Sequence, residues 1–257
     1  ATVDGARQPN LKTALNPDGS GKGVRHVDDI EELAYKAFEA GKRDGNMRNI
    51  KVLAFTNKRC LSLNRKIRKK VMGLTDPTPI IGEEMVANTS IQTATGDGAL
   101  IRNNQKVVVS SVEKTQSYGL DGAFIDFIDM EGEPIEETVF VPASPGKLQD
   151  RLKKLANEAK NAANEASKAT EATVKAEFTS LASEKWRTFY SLKEGCADIR
   201  FTYAMTVNKA QGTTLKHALV DLYDINSCRN KEQRARLAYT ATTRPTDYLT
   251  IEGELDG

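Results

Sequence analysis

The segment between Gly146 and Gly195 most constrains the fold of this chain, because it contains neither glycine nor proline, the two residues that most often break a helix. Within it, apolar and small residues recur at spacings of three and four, as on one helix face: Leu148, Leu152, Leu155, Ala159, Ala162, Ala166 and Ala169. An alanine-rich seam allows close packing. We therefore expect a helical arm made of two helices that turn near Ser167–Thr173. One continuous helix, about 70 Å long at 1.5 Å per residue, is the alternative.

Strand-like and helix-like segments flank this arm on both sides. Before it, the apolar run Lys51–Thr56 predicts a buried strand that leads into a helix over Asn57–Met72, and a further helix is predicted over Asp28–Ala40, capped by Asp28 or Asp29. After the arm, the patterns predict strands at Ile199–Ala204, Ala218–Leu222 and Tyr248–Ile251, and a helix at Lys231–Thr240. Strands alternating with helices are typical of an α/β sheet domain.

A different pattern separates the first α/β segment from the arm. Asp76–Pro79 breaks the helix, and short strand-like runs then follow one another between Gly, Asn and Asp turns. These runs are Met85–Ile91, Lys106–Glu113, Ala123–Met130 and Thr138–Pro142. They predict a small antiparallel barrel, so the expected fold is one α/β domain (residues 1–75 and 196–257) interrupted by a barrel (76–145) and the arm (146–195).

Composition excludes some classes of protein and leaves others open. The 257 residues have a mean hydropathy of −0.50 and no apolar run long enough to span a membrane. The cysteines, Cys60, Cys196 and Cys228, are scattered, which favours a reducing cytoplasm (the host cytoplasm for a viral protein) and predicts no metal site. Because the chain begins with Ala1 instead of methionine, we expect a fragment or a processed product.

The net charge of +2 conceals one strongly basic block. Between Arg48 and Lys70 there are nine Lys and Arg residues and no Asp or Glu. Such a block can neutralise phosphates at close range. A solvated basic helix face is an equally good interpretation from the sequence alone. The aromatic group Trp186, Phe189 and Tyr190 in the arm is interpreted as packing residues, with a base-stacking platform as the alternative.

Several short segments carry groups that can bind phosphate. Gly21-Lys22 is not the G-x-x-x-x-G-K-[ST] loop, because Asn16 and Gly23 occupy positions that require Gly and Ser or Thr. Thr206–Thr214 is polar, and Gly212 allows close approach of the backbone. Tyr239–Arg244 ends a predicted helix with an arginine that a rigid helix end can present to a phosphate.

Thr56 and Asn57 follow a predicted strand, where ligands approach an open α/β sheet. Together with the segments above, in this order, they resemble the motifs of superfamily-one DNA helicases of the phage Dda-like and RecD-like type. Phe55–Lys58 with Asn64 and Ile67–Lys70 resembles motif IV, Thr206–Gly212 resembles motif V, usually T-x-H-K-x-Q-G, and Tyr239–Arg244 resembles motif VI.

This resemblance implies a second RecA-like domain, interrupted by an SH3-like barrel and a helical tower. In that family, ATP and Mg²⁺ are held mainly by a first RecA-like domain, whose motifs are absent from this sequence. The second domain would supply Arg244 as an arginine finger, and Gln211, Gly212 and Thr213 would line the nucleotide. Single-stranded DNA would be gripped by a larger set: Thr56, Asn57, Lys58, Asn64, Thr206, Asn208 and Lys209.

Two residues depart from the family's pattern. Asn208 replaces the motif V histidine, and Thr246 replaces a second motif VI arginine. The expected function is the motor half of an ATP-dependent helicase that moves 5′ to 3′ on single-stranded DNA, with the first RecA-like domain and DNA replication proteins as partners and no membrane. The alternatives are a non-catalytic module that binds single-stranded nucleic acid through the barrel and the basic block, and a scaffold whose arm docks a partner protein.

Overall fold

The computed structural model describes residues 13–16, 21–93 and 95–256, and the chain divides into two compact units. The α/β unit comprises Ala1–Asp76 and Phe201–Gly257, and the insertion unit comprises Pro77–Arg200. The sequence prediction of a mixed α/β protein is confirmed.

The strands are β1 (Ala14–Leu15), β2 (Gly23–Val27), β3 (Ile50–Ala54), β4 (Glu84–Ala87), β5 (Ile91–Gln92), β6 (Ala99–Ile101), β7 (Lys106–Ser117), β8 (Leu120–Ile128), β9 (Val139–Pro142), β10 (Ile199–Phe201), β11 (Ala204–Thr206), β12 (Leu215–Asp221) and β13 (Pro245–Glu252). The α-helices are α1 (Ile30–Arg43), α2 (Asn57–Met72), α3 (Pro145–Lys168), α4 (Ala172–Gly195), α5 (Leu222–Asn226) and α6 (Lys231–Thr242). Short 3-10 helices occur at Met47–Asn49 and Val207–Ala210.

The α/β unit is built on a six-stranded sheet in the order β1-β2-β13-β12-β3-β11. All neighbouring strands are parallel except β1, which runs antiparallel to β2. Alternate residues of β3 enter two separate cores, as the two-residue period of a strand requires: Val52 packs with α1 and α2, and Leu53 packs with α5 and α6. The parallel strands give the sheet a carboxyl edge, where they end, and an amino edge, where they begin.

Helix ends follow the chemistry of their capping residues. Of the two predicted caps of α1, Asp29 is the one used, and its Oδ1 accepts hydrogen bonds from the backbone of Glu31 and Glu32 at 2.8 and 3.0 Å. The helix Asn57–Met72 has the predicted bounds, with Gly73 ending it at a φ of 72°.

The single strand predicted at Ile199–Ala204 is wrong, because the chain leaves β10 at Phe201 and begins β11 at Ala204. The intervening Thr202 is buried and accepts a 3.0 Å hydrogen bond from the Lys51 ammonium. The side chain of Asn64 also binds the backbone on both sides of the break. Long-range side-chain contacts of this kind have no signal in local hydrophobic periodicity.

The insertion unit contains a five-stranded sheet in the order β10-β4-β7-β8-β9, with antiparallel pairing from β4 to β9. A backbone hydrogen bond from Ala197 N to Phe140 O, at 2.8 Å, brings the chain just before β10 to β9. The predicted barrel strands occur with shifted ends: the strand predicted over Met85–Ile91 ends at Ala87, and the one predicted over Lys106–Glu113 extends to Ser117.

The arm is a two-helix hairpin, as predicted, and the alternative of one long helix is wrong. Helices α3 and α4 are joined by residues 169–171, inside the predicted turn region. The seam is buried where α3 faces α4, at Leu155, Ala159, Ala162 and Ala166.

The base of the arm and the antiparallel sheet share one core. Leu120 and Phe140 of the sheet pack with Leu148, Leu192 and Cys196 of the arm and its end. The two segments predicted separately therefore fold as one unit. In α4, the rings of Trp186, Phe189 and Tyr190 lie 5.2 to 6.0 Å apart, centroid to centroid, and contact one another.

No helix within the described ranges is long and apolar enough to cross a membrane. Cys60, Cys196 and Cys228 are buried free thiols. In the part of the chain that the structure describes, no three His, Cys, Asp or Glu side chains are grouped so that they could hold a metal ion.

Candidate functional site

At the carboxyl edge of the parallel sheet, a carboxylate binds the end of β3. Asp224 of α5 accepts hydrogen bonds from the backbone N–H groups of Phe55 and Thr56 at 2.8 and 2.7 Å, and from the Thr56 hydroxyl at 2.8 Å. The same hydroxyl accepts a bond from Arg59 N, which caps α2. A phosphate bound at Thr56 would be repelled by the carboxylate of Asp224. The hydrogen bonds of Thr56 instead hold the start of α2 in position.

We call the hydrogen bonds from Phe55 and Thr56 to Asp224 the Asp224 clamp. A second set of charged side chains lies beside it. Arg59 donates through Nε to the buried Asp221 at 2.7 Å and through Nη1 to Glu31 at 2.6 Å, and Lys66 binds Glu31 at 2.8 Å. Burial opposes ionisation of Glu31, but the hydrogen bonds from Lys66 and Arg59 outweigh it and lower its pKa. Burial raises the pKa of Glu252 at the end of β13. Carboxylates therefore occupy much of this edge.

The residues of α2 that were predicted to bind DNA differ from one another in their surroundings. Asn57 and Lys58 are exposed at the first turn of the helix. Asn64 is buried, and its Nδ2 donates to the carbonyls of Phe201 and Ala204 at 3.1 and 2.9 Å, while its Oδ1 accepts from Ala204 N at 2.8 Å. Both amide donors of Asn64 are therefore used inside the fold, and its contact with DNA stays a prediction.

The other predicted DNA-binding residues lie next to this edge. Thr206 ends β11, in register with Ala54 of β3, and is half-buried. Asn208 is exposed and Lys209 half-buried in the 3-10 helix that follows. The structure therefore brings the segment that begins at Thr206 beside the start of α2, although many residues separate them in sequence.

The predicted nucleotide-lining residues lie towards the opposite edge. The chain from β11 crosses to the amino edge, where Thr213 lies two residues before β12, and its hydroxyl donates to Ala210 O at 2.7 Å. Gln211 and Gly212 are exposed. Gly212 has a φ of 82°, a conformation that favours glycine, and no atom lies within 4 Å of where a Cβ would be.

Arg244 is adjacent to this loop. Its backbone carbonyl accepts a 3.1 Å hydrogen bond from Leu215 N, the first residue of β12. Its half-buried guanidinium donates through Nε to Thr240 O at 3.2 Å, at the end of α6. The structure therefore brings Arg244 together with Gln211, Gly212 and Thr213 at the amino edge, and separates them from Thr56 and Thr206 at the carboxyl edge.

Asp221 and Asp224 were not predicted as site residues from the sequence. A signal for them exists, because both follow the apolar run of β12 and carboxylates at the carboxyl end of a parallel strand are placed to meet neighbouring strand ends. Their partners Arg59 and Thr56 could not be found without the strand order, which sets β12 beside β3.

A cavity of about 510 Å³ on the α1 face of the sheet was also not predicted. It is lined by Arg25, Lys216, His217 and Tyr248 together with apolar residues of α1. The His217 Nε2 lies 3.0 Å from the Thr250 hydroxyl. Burial, with the nearby charge of Arg25, lowers the pKa of His217 to about 4, so this imidazole is neutral at physiological pH.

No protein-family model matches the chain. An uncharacterised protein of Acanthamoeba polyphaga mimivirus is 34% identical over 71 residues, which cover 27% of this chain and 14% of that protein. The crystal structure of a Bacteroides Pif1 helicase in complex with ADP-AlF3 and single-stranded DNA aligns with 91% of this chain and 51% of its own length, at 8% identity and a TM-score of 0.36. A TM-score of this size is too low to show a common fold.

Proposed function

We propose that this chain is the second RecA-like half of an ATP-dependent superfamily-one DNA helicase of the Dda-like and RecD-like type, which moves 5′ to 3′ along single-stranded DNA. The observation that carries the proposal is the adjacency of Arg244 and the loop Gln211–Thr213 at one sheet edge, joined through Leu215. The two segments resemble motifs VI and V, and a shared position is what a common nucleotide would require. The largely parallel sheet with helices on both faces is compatible with a RecA-like domain.

In this proposal, ATP and Mg²⁺ are held mainly by a first RecA-like domain, and the present chain contacts the nucleotide from one side. The exposed backbone at Gly212, with open space where a Cβ would be, fits close approach by a phosphate. Arg244 turns its guanidinium from Thr240 O towards the γ-phosphate and stabilises the charge that develops there. Gln211 and Thr213 supply polar groups beside it.

The DNA backbone is gripped at the other edge, by Thr206, Asn208 and Lys209 together with Asn57 and Lys58. Asn64 does not belong to this set, and Thr56 acts through its hydrogen bonds to Asp224 by fixing the start of α2. In the same proposal, the insertion unit corresponds to the SH3-like subdomain and the tower of the family, and replication proteins are its partners.

Turnover of ATP in the whole protein tests the role of Arg244. Arg244→Ala is expected to lower DNA-stimulated ATP hydrolysis by about 10³-fold, the lower end of the range for arginine fingers in other NTPases, while affinity for single-stranded DNA is kept. Unchanged turnover would overturn the assignment.

Arg236→Ala is the matched control, because Arg236 lies on α6, the helix that Arg244 follows, and forms an exposed ion pair with Glu232. That variant is expected to hydrolyse ATP at the normal rate. The present chain alone is expected to hydrolyse no ATP, because its sequence contains no phosphate-binding G-x-x-x-x-G-K-[ST] loop. DNA-stimulated hydrolysis by the pure chain would contradict the proposal.

A further inference from the structure

The basic block Arg48–Lys70 is divided by the fold into groups with different surroundings. Two of its nine cations are buried: Lys51, bound to Thr202, and Arg68, which stacks 4.1 Å above the ring of Phe201 and donates to Asp76 O. Two more, Arg59 and Lys66, are neutralised by carboxylates. Four of the nine cations are therefore buried or ion-paired. Fewer of them can bind a phosphate than the sequence alone suggests.

The cations that remain on α2 are arranged by helix geometry. Lys58, Arg65 and Lys69 are exposed and lie seven and then four residues apart, so they share one face of the helix, with Ser62 between them. We call this face the outer stripe. Among the described residues, none of the three cations has a hydrogen-bonding or ion-pairing partner. Arg59 and Lys66 lie on a neighbouring face, where Glu31 binds both.

We propose that the outer stripe of α2 is a track for the phosphate backbone of single-stranded DNA, which continues from the grip at the carboxyl edge along the length of this helix. This inference rests on the proposed function. It adds Ser62, Arg65 and Lys69 as contacts and gives the path that the strand takes after Lys58.

Three observations support single-stranded DNA as the ligand of the outer stripe. The stripe begins at the first turn of α2, beside the segment that starts at Thr206, so one strand can contact both without a break. Its positions lie four, three and four residues apart, which is about 4.5 to 6 Å along the axis and similar to the distance between neighbouring phosphates of an extended strand. Cations without carboxylate partners pay no cost of breaking ion pairs when they bind phosphate.

Salt dependence of binding tests the track. The probe is a labelled oligothymidylate, and the variant replaces Lys58, Arg65 and Lys69 with Gln. Because each neutralised phosphate contributes about 0.7 to the slope of log K against log salt concentration for single strands, the triple variant is expected to lower the slope by about 2. The matched control removes the same charge elsewhere in the α/β unit, at Arg43, Lys70 and Lys231, which are exposed and have no ion-pairing partner in the part of the chain that the structure describes. It is expected to keep nearly the full slope.

The outcomes separate the track from the proposed function. Equal loss in both triple variants, or no loss in either, overturns the track. If the wild-type chain binds no oligothymidylate, the DNA-binding part of the proposed function fails as well. If the stripe variant keeps the wild-type salt slope while binding is lost on changing Asn208 and Lys209 to Ala, DNA binding at the carboxyl edge stands and the track is overturned.

A further measurement sharpens the test. Bound oligothymidylate is expected to protect the amines of Lys58 and Lys69 from acetylation and to leave Lys70, on the neighbouring face, reactive. Equal protection of all three would overturn the track.

Discussion

The two edges of the parallel sheet use their polar residues in different ways. At the carboxyl edge, Asp221 and Asp224 bind Arg59 and Thr56 across neighbouring strands. Most of the polar side chains there therefore form hydrogen bonds or ion pairs within the fold. At the amino edge, Gln211 and Gly212 are exposed, and the Arg244 guanidinium donates, among the described residues, only to the end of the preceding helix α6 and its capping residue. A polar residue at a strand end is therefore not by itself a ligand-binding residue. Its partners decide whether it serves stability or function.

The largest effect is expected at the carboxyl edge. Asp224→Asn removes a charged acceptor from three hydrogen bonds and turns an amide donor towards backbone donors, so we expect a loss of about 3 kcal/mol in the free energy of unfolding. Hydrogen exchange is expected to quicken at the amides of Phe55 and Thr56. Asp28→Asn, at an exposed position of the same unit, is the control and is expected to change neither quantity. If hydrogen-exchange protection of the Phe55 and Thr56 amides were unchanged in Asp224→Asn, the stabilising role of the Asp224 clamp would be contradicted.

A smaller, pH-dependent effect is expected at His217, near the beginning of β12. Its pKa is lowered from 6.5 to about 4, so the unfolded chain takes up the proton first as pH falls. The stabilisation by neutral His217 is complete above the unfolded pKa and is lost progressively as pH falls between these two values. His217→Gln is expected to remove this part of the pH dependence. An NMR titration of the His217 ring with a midpoint near 6.5 would contradict the burial on which this depends.

The smallest effects on stability are expected at the amino-edge loop. Gly212→Ala places a methyl group in open space at a residue with positive φ. The free energy of unfolding is therefore expected to fall by about 1 kcal/mol, from backbone strain alone. Gly212→Asn is expected to cost less, because Asn tolerates this conformation better. Arg244→Ala is expected to change the free energy of unfolding by less than about 0.5 kcal/mol. A loss at Arg244 as large as that at Asp224 would remove the contrast between the edges.

Local patterns in the sequence were sufficient for several elements. The absence of Gly and Pro between Gly146 and Gly195, with the alanine seam, predicted the helical hairpin, because helix formation and close packing depend on residues a few positions apart. The same holds for α2, whose cap and apolar spacing lie within one segment. The strand predicted at Ile199–Ala204 failed because its interruption depends on Lys51 and Asn64, which are distant in sequence.

Prediction of the candidate site was similarly divided. The sequence indicated which residues carry phosphate-binding groups, but it gave Thr56, Asn64 and Lys58 the same role. The structure separates them: Thr56 is bound to Asp224, Asn64 is buried, and Lys58 is exposed.

The sequence by itself determined the α/β class, the helical arm and the set of candidate polar groups, since each depends on residue type and short-range spacing. Only the tertiary structure decided which of those groups are available to a ligand. Strand order sets β12 beside β3 and so gives Thr56 and Arg59 their carboxylate partners. It also leaves Lys58, Arg65 and Lys69 on an exposed helix face. Whether a charge is spent or available depends on neighbours that are distant in sequence, because burial and ion pairing are properties of the packed chain.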